Sequence, residues 1–588
     1  MPLLPQLQEP YQQKIHTETF GGYNHKLKIS ANDWYETTNL NSDAFPMLGS
    51  RPLRGIVSAL DAPGGCIAKD GLLVVDGENV LYNGYTIPVG LNDITPKQLV
   101  SMGAYLVIFP DKKYLNTADL DDFGDLEASW ESQENEAVTY SICNVAGDAY
   151  ENLTVQAVEP QNPANGAYWI DTSGETHVLK QWSSDSGIWT QIPTVYTRIS
   201  ATGIGKNFRQ YDGVTISGCA IEGSGNLSRQ IDALNGSKVI YHREDDSIVV
   251  VGLLDQTYTQ TTGVVSARRS VPDMDYVCEA GNRLWGCKYG LVDGKTVNEI
   301  YACKLGDFKN WNCFLGISTD SWAASVGSDG QWTAACNYLG YPTFFKEGTI
   351  HRVSISSSGA HQIQETICSG VERGSWRSPC VAGEILYYKG ISGIYAYDGS
   401  QPVDVSDALG GVRYRNAVAG AIGKKYYVSM EDMTGVPHLF VLDADRGIWM
   451  REDNTRAMMF AQADGDLFYI DETDRSLRCV MGSVGTAEKT LHWEAVSGVQ
   501  HYEQSEKKYV SRYNFRVKLD PKGSVQLYIQ YDSDGKWEFS GSIKGGALRT
   551  CTIPVRPRRC DHLQYKLCGE GEFRLFSVTR ILEQGSDA

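Results

Sequence analysis

The chain lacks any run of 18 apolar residues, so nothing in it reads as a membrane-spanning helix. Its first 20 residues hold no apolar stretch of the kind a secretory signal needs, and export by the standard route is not expected. None of its 14 cysteines forms a CxxC pair; the nearest neighbours, Cys278/Cys287, Cys560/Cys568 and Cys303/Cys313, stand eight to ten residues apart. Zinc knuckles need tighter spacing, so these residues are expected to be buried, reduced thiols in a protein assembled in a cytoplasm. Catalytic strings are missing as well: there is no GxSxG elbow, no HExxH and no GxxxxGK[ST] phosphate loop. Proline is sparse at 20 residues, and no long stretch sustains a capped 3.6-residue apolar period, so few helices are expected. These absences point away from an enzyme: no catalytic residue, no metal ligand set and no cofactor is expected.

What the chain does have is glycine and aromatic residues. Its 588 residues include 60 Gly, 33 Tyr and 13 Trp, and 42% are hydrophobic, enough for a large core. Abundant Gly beside Tyr and Thr suggests short strands joined by tight turns, because Gly supplies the positive φ that hairpins need. The net charge of −18 argues against a nucleic-acid-coating protein. It is compatible with a wall past which DNA moves without sticking.

From Gly55 a rhythm begins: a Gly or Asp-Gly turn, four to six apolar residues, another turn, a second short strand. Gly281, Gly330, Gly383, Gly423 and Gly465 open such units at spacings of 49, 53, 40 and 42 residues. A four-stranded propeller blade repeats every roughly 40 to 50 residues. The expected fold is therefore all-β: a six- or seven-bladed β-propeller with an inserted small β module and a C-terminal β-sandwich. The expected bounds are an N-terminal arm and ring-closing segment over 1–54, propeller over 55–118 and 198–484, the insertion over 119–197, and the sandwich over 485–588. Eight acidic residues and no Lys or Arg between 119 and 136 mark the start of the insertion. The sandwich is signalled by period-two alternation in Tyr513-Asn514-Phe515-Arg516-Val517-Lys518-Leu519 and in Val525-Gln526-Leu527-Tyr528-Ile529-Gln530-Tyr531. Residues 501–588 carry 15 Lys+Arg against 11 Asp+Glu, a net of +4, which leaves about −22 for the remainder. Such a domain can dock on the acidic surface of a neighbouring copy.

Each candidate site has a structural explanation beside the functional one. The ten histidines are scattered singly, and His351 and His361 read as structural. Asp245/Asp246 and Glu452/Asp453 read as solvated carboxylates at turns or strand ends. The strings Ser184-Asp185-Ser186-Gly187-Ile188-Trp189, Ser328-Asp329-Gly330-Gln331-Trp332 and Ser533-Asp534-Gly535-Lys536-Trp537 share a Ser-Asp-(x)-Gly-x-Trp form. They read as hairpin turns, since the Asp boxes of sialidase propellers keep two residues, not one, between Gly and the aromatic. Asp443-Ala444-Asp445-Arg446-Gly447 has a calcium-like rhythm without the full ligand set, and reads as a turn. Trp169, Trp182 and Trp189 lie in the insertion; they can be its small core or an aromatic platform for glycan or partner contacts.

Longer strings carry a resemblance. Trp34-Tyr35-Glu36-Thr37-Thr38-Asn39-Leu40, leading to Phe45-Pro46-Met47-Leu48-Gly49-Ser50-Arg51, resembles the start of propeller proteins in phages and prophages of Gram-positive, Clostridia-like bacteria. Asp273-Met274-Asp275-Tyr276-Val277-Cys278-Glu279-Ala280-Gly281-Asn282-Arg283-Leu284-Trp285-Gly286-Cys287 and Arg558-Arg559-Cys560-Asp561-His562 continue it, and the likeness covers most of the chain outside 119–197. Gly166-Ala167-Tyr168-Trp169-Ile170-Asp171-Thr172 separately resembles modules hung on phage structural proteins. The architecture is similar to the tail hub, nozzle and stabilisation propellers of short-tailed phages. The resemblance implies a non-enzymatic virion protein in a ring, commonly hexameric, around the DNA exit path. Its partners would be copies of itself and other phage tail proteins, with genome DNA passing unread. The alternatives are a tail-tip protein that binds a host receptor or surface glycan, and a propeller-fold glycan hydrolase or lyase.

Overall fold

A computed structural model describes residues 12–92, 96–356, 360–502 and 507–584. Among them, seven small antiparallel sheets carry the propeller. Their innermost strands are Pro63–Ala68, Gln98–Met102, Tyr276–Glu279, Ala334–Tyr338, Cys380–Ala382, Tyr414–Ile422 and Ala457–Ala463. All seven contribute residues to one axial cavity, which fixes the blade count left open by the spacing. Within a blade, tight turns set the register. Ala463 pairs with Asp466 across Asp464 (φ 49°) and Gly465 (φ 78°), the double positive-φ turn that an Asp-Gly pair favours.

The ring closes on a strand from the N-terminal side. Gly55–Ala59 pairs antiparallel with Ser476–Cys479, Gly55 opposite Cys479 and Ala59 opposite Ser476, and completes blade 7. Gly55 is required there, since a Cβ would lie 2.0 Å from the Val484 carbonyl oxygen and 2.7 Å from the Cys479 sulfur. The expectation that 1–54 holds the ring-closing segment is thus corrected by one strand. Gln12–Thr17, Trp34–Thr38, Leu40–Asn41 and Leu48–Ser50 belong instead to the C-terminal sheet. Trp34 explains why: it is 1% exposed and packs edge-on against Tyr565, 5.8 Å away.

That sheet is a sandwich folded around one long strand. Lys508–Tyr531 pairs with Phe573–Gln584 along its first half and with Leu563–Glu570 along its second. The register breaks between Leu519 and Ser524, where the strand passes from one layer to the other. The alternation read from sequence is the inside–outside pattern: Tyr513, Phe515, Val517, Leu519, Val525, Leu527, Ile529 and Tyr531 are all buried in one core.

The insertion departs from its expected bounds. Phe123–Asp125 is the outer strand of blade 2, not the start of an excursion. Residues 198–269, expected to be propeller, pair with 128–143 in two further sheets. One joins Ala128–Glu131, Ser266–Arg269, Gly213–Ser217 and Gly236–Val239; the other centres on Val138–Cys143, Tyr196–Ser200 and Ser247–Val251. Tyr140, Ile199, Ile216 and Ile248 fill the core between them. A four-stranded sheet of Leu153–Gln156, Tyr168–Asp171, Val178–Ser183 and Ile188–Gln191 is inserted in turn within this unit. A short turn-and-strand pattern reports a strand, not the sheet to which it belongs, so Gly236–Val239 of this unit mimics a blade strand.

Candidate functional site

The propeller axis is where side chains from every blade converge. Its cavity, about 370 Å³, is lined by Cys66, Leu99, Val277, Ala335, Val418, Ala419, Met459 and Phe460, with Lys97, Gln98, Arg377 and Gln462 among the polar members. Among the described residues lining it there is no Asp or Glu. Burial pulls the Arg377 guanidinium down to about 10, with Glu472 pulling the other way, and Arg377 donates to the Met458 carbonyl.

A buried charge cluster lies where the closing strand meets blades 6 and 7. Arg54 (1% exposed) donates from Nη2 to Glu452 Oε2 at 2.6 Å and pairs through Nη1 with Asp453 Oδ2 at 2.8 Å. Its Nη1 also reaches Thr455 Oγ1 at 2.9 Å and the Tyr469 hydroxyl at 3.1 Å. Arg51 pairs with Glu488 at 2.8 Å, and the Arg54 backbone N–H donates to the same carboxylate at 3.1 Å. Burial alone would raise the Asp453 carboxyl, but the charges of Arg54 and Arg51 hold it below its ordinary range. Glu488 is lowered likewise, burial being outweighed by Arg51 and by the Arg54 N–H. Glu452/Asp453, read from sequence as solvated, are therefore clamps of the ring closure.

The three insertion tryptophans are brought together. Trp182 and Trp189 are cross-strand partners with ring centroids 5.5 Å apart, and Trp169 meets Trp189 edge-on at 5.4 Å. Trp169 is buried and donates to the Gln156 carbonyl at 2.8 Å; Trp182 and Trp189 are half-buried. They share one face with Lys180, whose ammonium sits 4.7 Å over the Trp169 ring. The core of this small sheet is the other face, built from Ile170, Leu179 and Val195. The tryptophans thus form a separate aromatic platform.

Other sequence candidates resolve into local structure. His351 is fully buried, its Nε2 2.9 Å from Ser328 Oγ, and His361 packs edge-on against Trp285 at 5.3 Å. The Asp443 carboxylate accepts from Ser42 Oγ at 2.6 Å and from Arg446 at 2.5 Å, which makes 443–447 a bonded turn. The strings at 184 and 533 form the expected hairpin turns, whereas that at 328 joins blade 3 to blade 4 and sends Trp332 into the core. All 14 cysteines are unpaired thiols.

Two features escape motif reading. Arg512, Arg516 and Lys518 alternate with buried Tyr513, Phe515, Val517 and Leu519, so all three point outward from the sandwich. Arg574 lies directly across from Lys518 on the neighbouring strand, also exposed. None of the four has an ion-pair partner among the described residues. The other feature is the approach of His501 to the consecutive pair Asp561 and His562, some 60 residues away in sequence and brought near only through strand pairing.

No protein-family model matches the chain, and no curated protein sequence matches it. Among solved structures it is similar to BamB from Moraxella catarrhalis, at 13% identity over 73% of this chain and 97% of that one, TM-score 0.29. An exo-β-1,3-galactanase from Phanerochaete chrysosporium is similar at 8% identity over 52% of this chain and 94% of that one, TM-score 0.21. The WD40 repeats of RRP9 are similar at 7% identity over 52% and 89%, TM-score 0.23. These likenesses assign no substrate, partner or activity to this chain.

Proposed function

We propose that the protein is a non-enzymatic building block of a phage tail, whose copies dock head to tail into a ring around the path of the genome. The observation that carries this reading is the basic face of the sandwich. Arg512, Arg516, Lys518 and Arg574 present four unpaired cations on one sheet, two of them directly opposite each other. Like charges so placed repel unless an anionic partner covers them. The rest of the chain, at about −22, is such a partner. One such acidic patch is the outer turn of blade 2, where Asp119 and Asp121 stand exposed without an ion pair among the described residues. A basic patch meeting a different, acidic patch on the next copy is a heterologous contact, which closes into a ring where the rotation between copies closes and runs on as an open filament where it does not. Charge repulsion from the remaining acidic surface would let DNA pass without binding.

The test is charge reversal. The Arg512→Glu/Lys518→Glu variant is expected to abolish assembly of the purified chain, and Asp119→Lys/Asp121→Lys in the same chain to restore it. Assembly unaffected by the first pair refutes the interface, and turnover of a cell-wall polysaccharide refutes the non-enzymatic reading. Immunogold labelling of tails on phage particles tests the location.

A second reading rests on the tryptophan platform. Half-buried Trp182 and Trp189 beside Lys180 offer stacking surface and a donor, the chemistry of glycan recognition. Cell binding that survives Trp182→Ala/Trp189→Ala argues against it.

A further inference from the structure

We propose that His501, Asp561 and His562 form a binding site for a divalent transition ion, with zinc the best match. The site is independent of the assembly reading. Gln500 and Leu563 form an antiparallel bridge in which each N–H donates to the other's carbonyl, at 2.8 and 3.3 Å. The next residues along, His501 and His562, then face each other as a non-hydrogen-bonded pair, where side chains stand closest. Their ring centroids are 5.3 Å apart. Asp561 sits at a bend just before the strand, so its carboxylate is free of strand alternation and turns to the same side. One ligand atom from each of the three residues lies within 4.8 Å of the others.

The surroundings fix the ligands. His562 Nε2 lies 2.8 Å from Ser533 Oγ, which leaves Nδ1 facing Asp561 Oδ2 at 2.9 Å. A hydrogen-bond partner on the ring nitrogen that does not bind the ion is the usual outer shell of a histidine ligand. Ser533 is held in place by a strained turn: Asp532 and Ser533 both have positive φ, 49° and 52°. Asp532 Oδ1 accepts the backbone N–H groups of Asp561 at 2.7 Å and of His562 at 3.3 Å. The third Ser-Asp-Gly-x-Trp string thereby gains a role, buttressing the ligand loop. The neighbouring Cys560 points inward, its sulfur 3.5 Å from the Lys508 carbonyl, and the Lys508 ammonium bonds the Asp561 carbonyl.

Two imidazoles and one carboxylate suit zinc, and three protein ligands leave a fourth position for water or for a group from a partner. The ion would pin the segment through His501 to the loop before Leu563–Glu570, on the rim of the sandwich. No step of chemistry is required of it.

The test uses the full chain, stripped with a chelator and titrated with zinc against a chromophoric competitor. The expected result is one ion per chain lost on His501→Ala or His562→Ala, each weakening binding more than 100-fold, with Ser533→Ala weakening it roughly 10-fold. Because 14 thiols are present, cobalt serves as a second probe: the bound ion should give a visible tetrahedral spectrum without the near-ultraviolet thiolate band. His501 is exposed, so its variant should keep the parent's thermal midpoint without metal, which separates lost binding from lost fold. Undiminished zinc binding by both histidine variants, binding only through thiolates, or no binding to the parent chain would overturn the proposal.

Discussion

Replacing Arg54 by Met removes the cation on which the ring closure turns. Glu452, 1% exposed, and Asp453 would lose partners at 2.6 and 2.8 Å. Breaking a buried pair from one side costs about 3 to 5 kcal/mol, because a desolvated charge is left behind. Arg51 stands 4.0 and 3.9 Å from the same two carboxylates, so the low end, about 3 kcal/mol, is expected. The loss should fall on Gly55–Ala59, the strand that Arg54 leads into. Amide exchange there should speed up by roughly 150-fold, at tenfold per about 1.4 kcal/mol, while exchange in Leu563–Glu570 changes little. The pH dependence supplies an independent check. Asp453 and Glu488 are held below their ordinary values in the folded chain, so each contributes stability above about pH 4 that is lost as the pH falls through its folded value. The parent's stability should therefore decline below about pH 4.5, and Arg54→Met should flatten that decline. Exchange at 55–59 within about fivefold of the parent would refute the assignment of closure to this cluster.

Gly55→Ala places a Cβ against the Val484 carbonyl and should lower the thermal midpoint by an amount equivalent to about 1–3 kcal/mol; an unchanged midpoint would mean the closure is looser than described. Leu527→Ala opens the sandwich core and should cost about 2–5 kcal/mol in denaturant melts, whereas Gln526→Ala, on the outer face of the same strand, should cost under about 0.5 kcal/mol. Asp466→Ala leaves the Met481 and Ser483 N–H groups, at 2.8 and 3.1 Å, without their acceptor. It should destabilise blade 7 by about 1–3 kcal/mol, read as faster exchange at 481–483.

The blades were legible because their signal is local. Asp-Gly turns such as 464–465 and apolar strands such as Leu467-Phe468-Tyr469-Ile470 announce a hairpin without reference to the rest of the chain. Sheet membership was not legible, since it depends on partners far away: Trp34–Thr38 pairs with His492–Ser497, and Ala128–Glu131 with Ser266–Arg269. The same limit governed the sites. Trp182 and Trp189 stand near enough in sequence for their association to be anticipated. His501 meets His562 only through the Gln500–Leu563 bridge, and Glu452 looked solvated because nothing near it in sequence hints at Arg54. The basic face was half visible: alternation put Arg516 and Lys518 on one side, while Arg574 joined them through pairing.

Imaging the purified chain by electron microscopy, at low ionic strength where the basic face is least screened, tests self-assembly most directly. Closed rings with each sandwich seated on the next copy's blade 2 edge are the result the proposed assembly predicts. A dispersed monomer across the whole concentration range would contradict it.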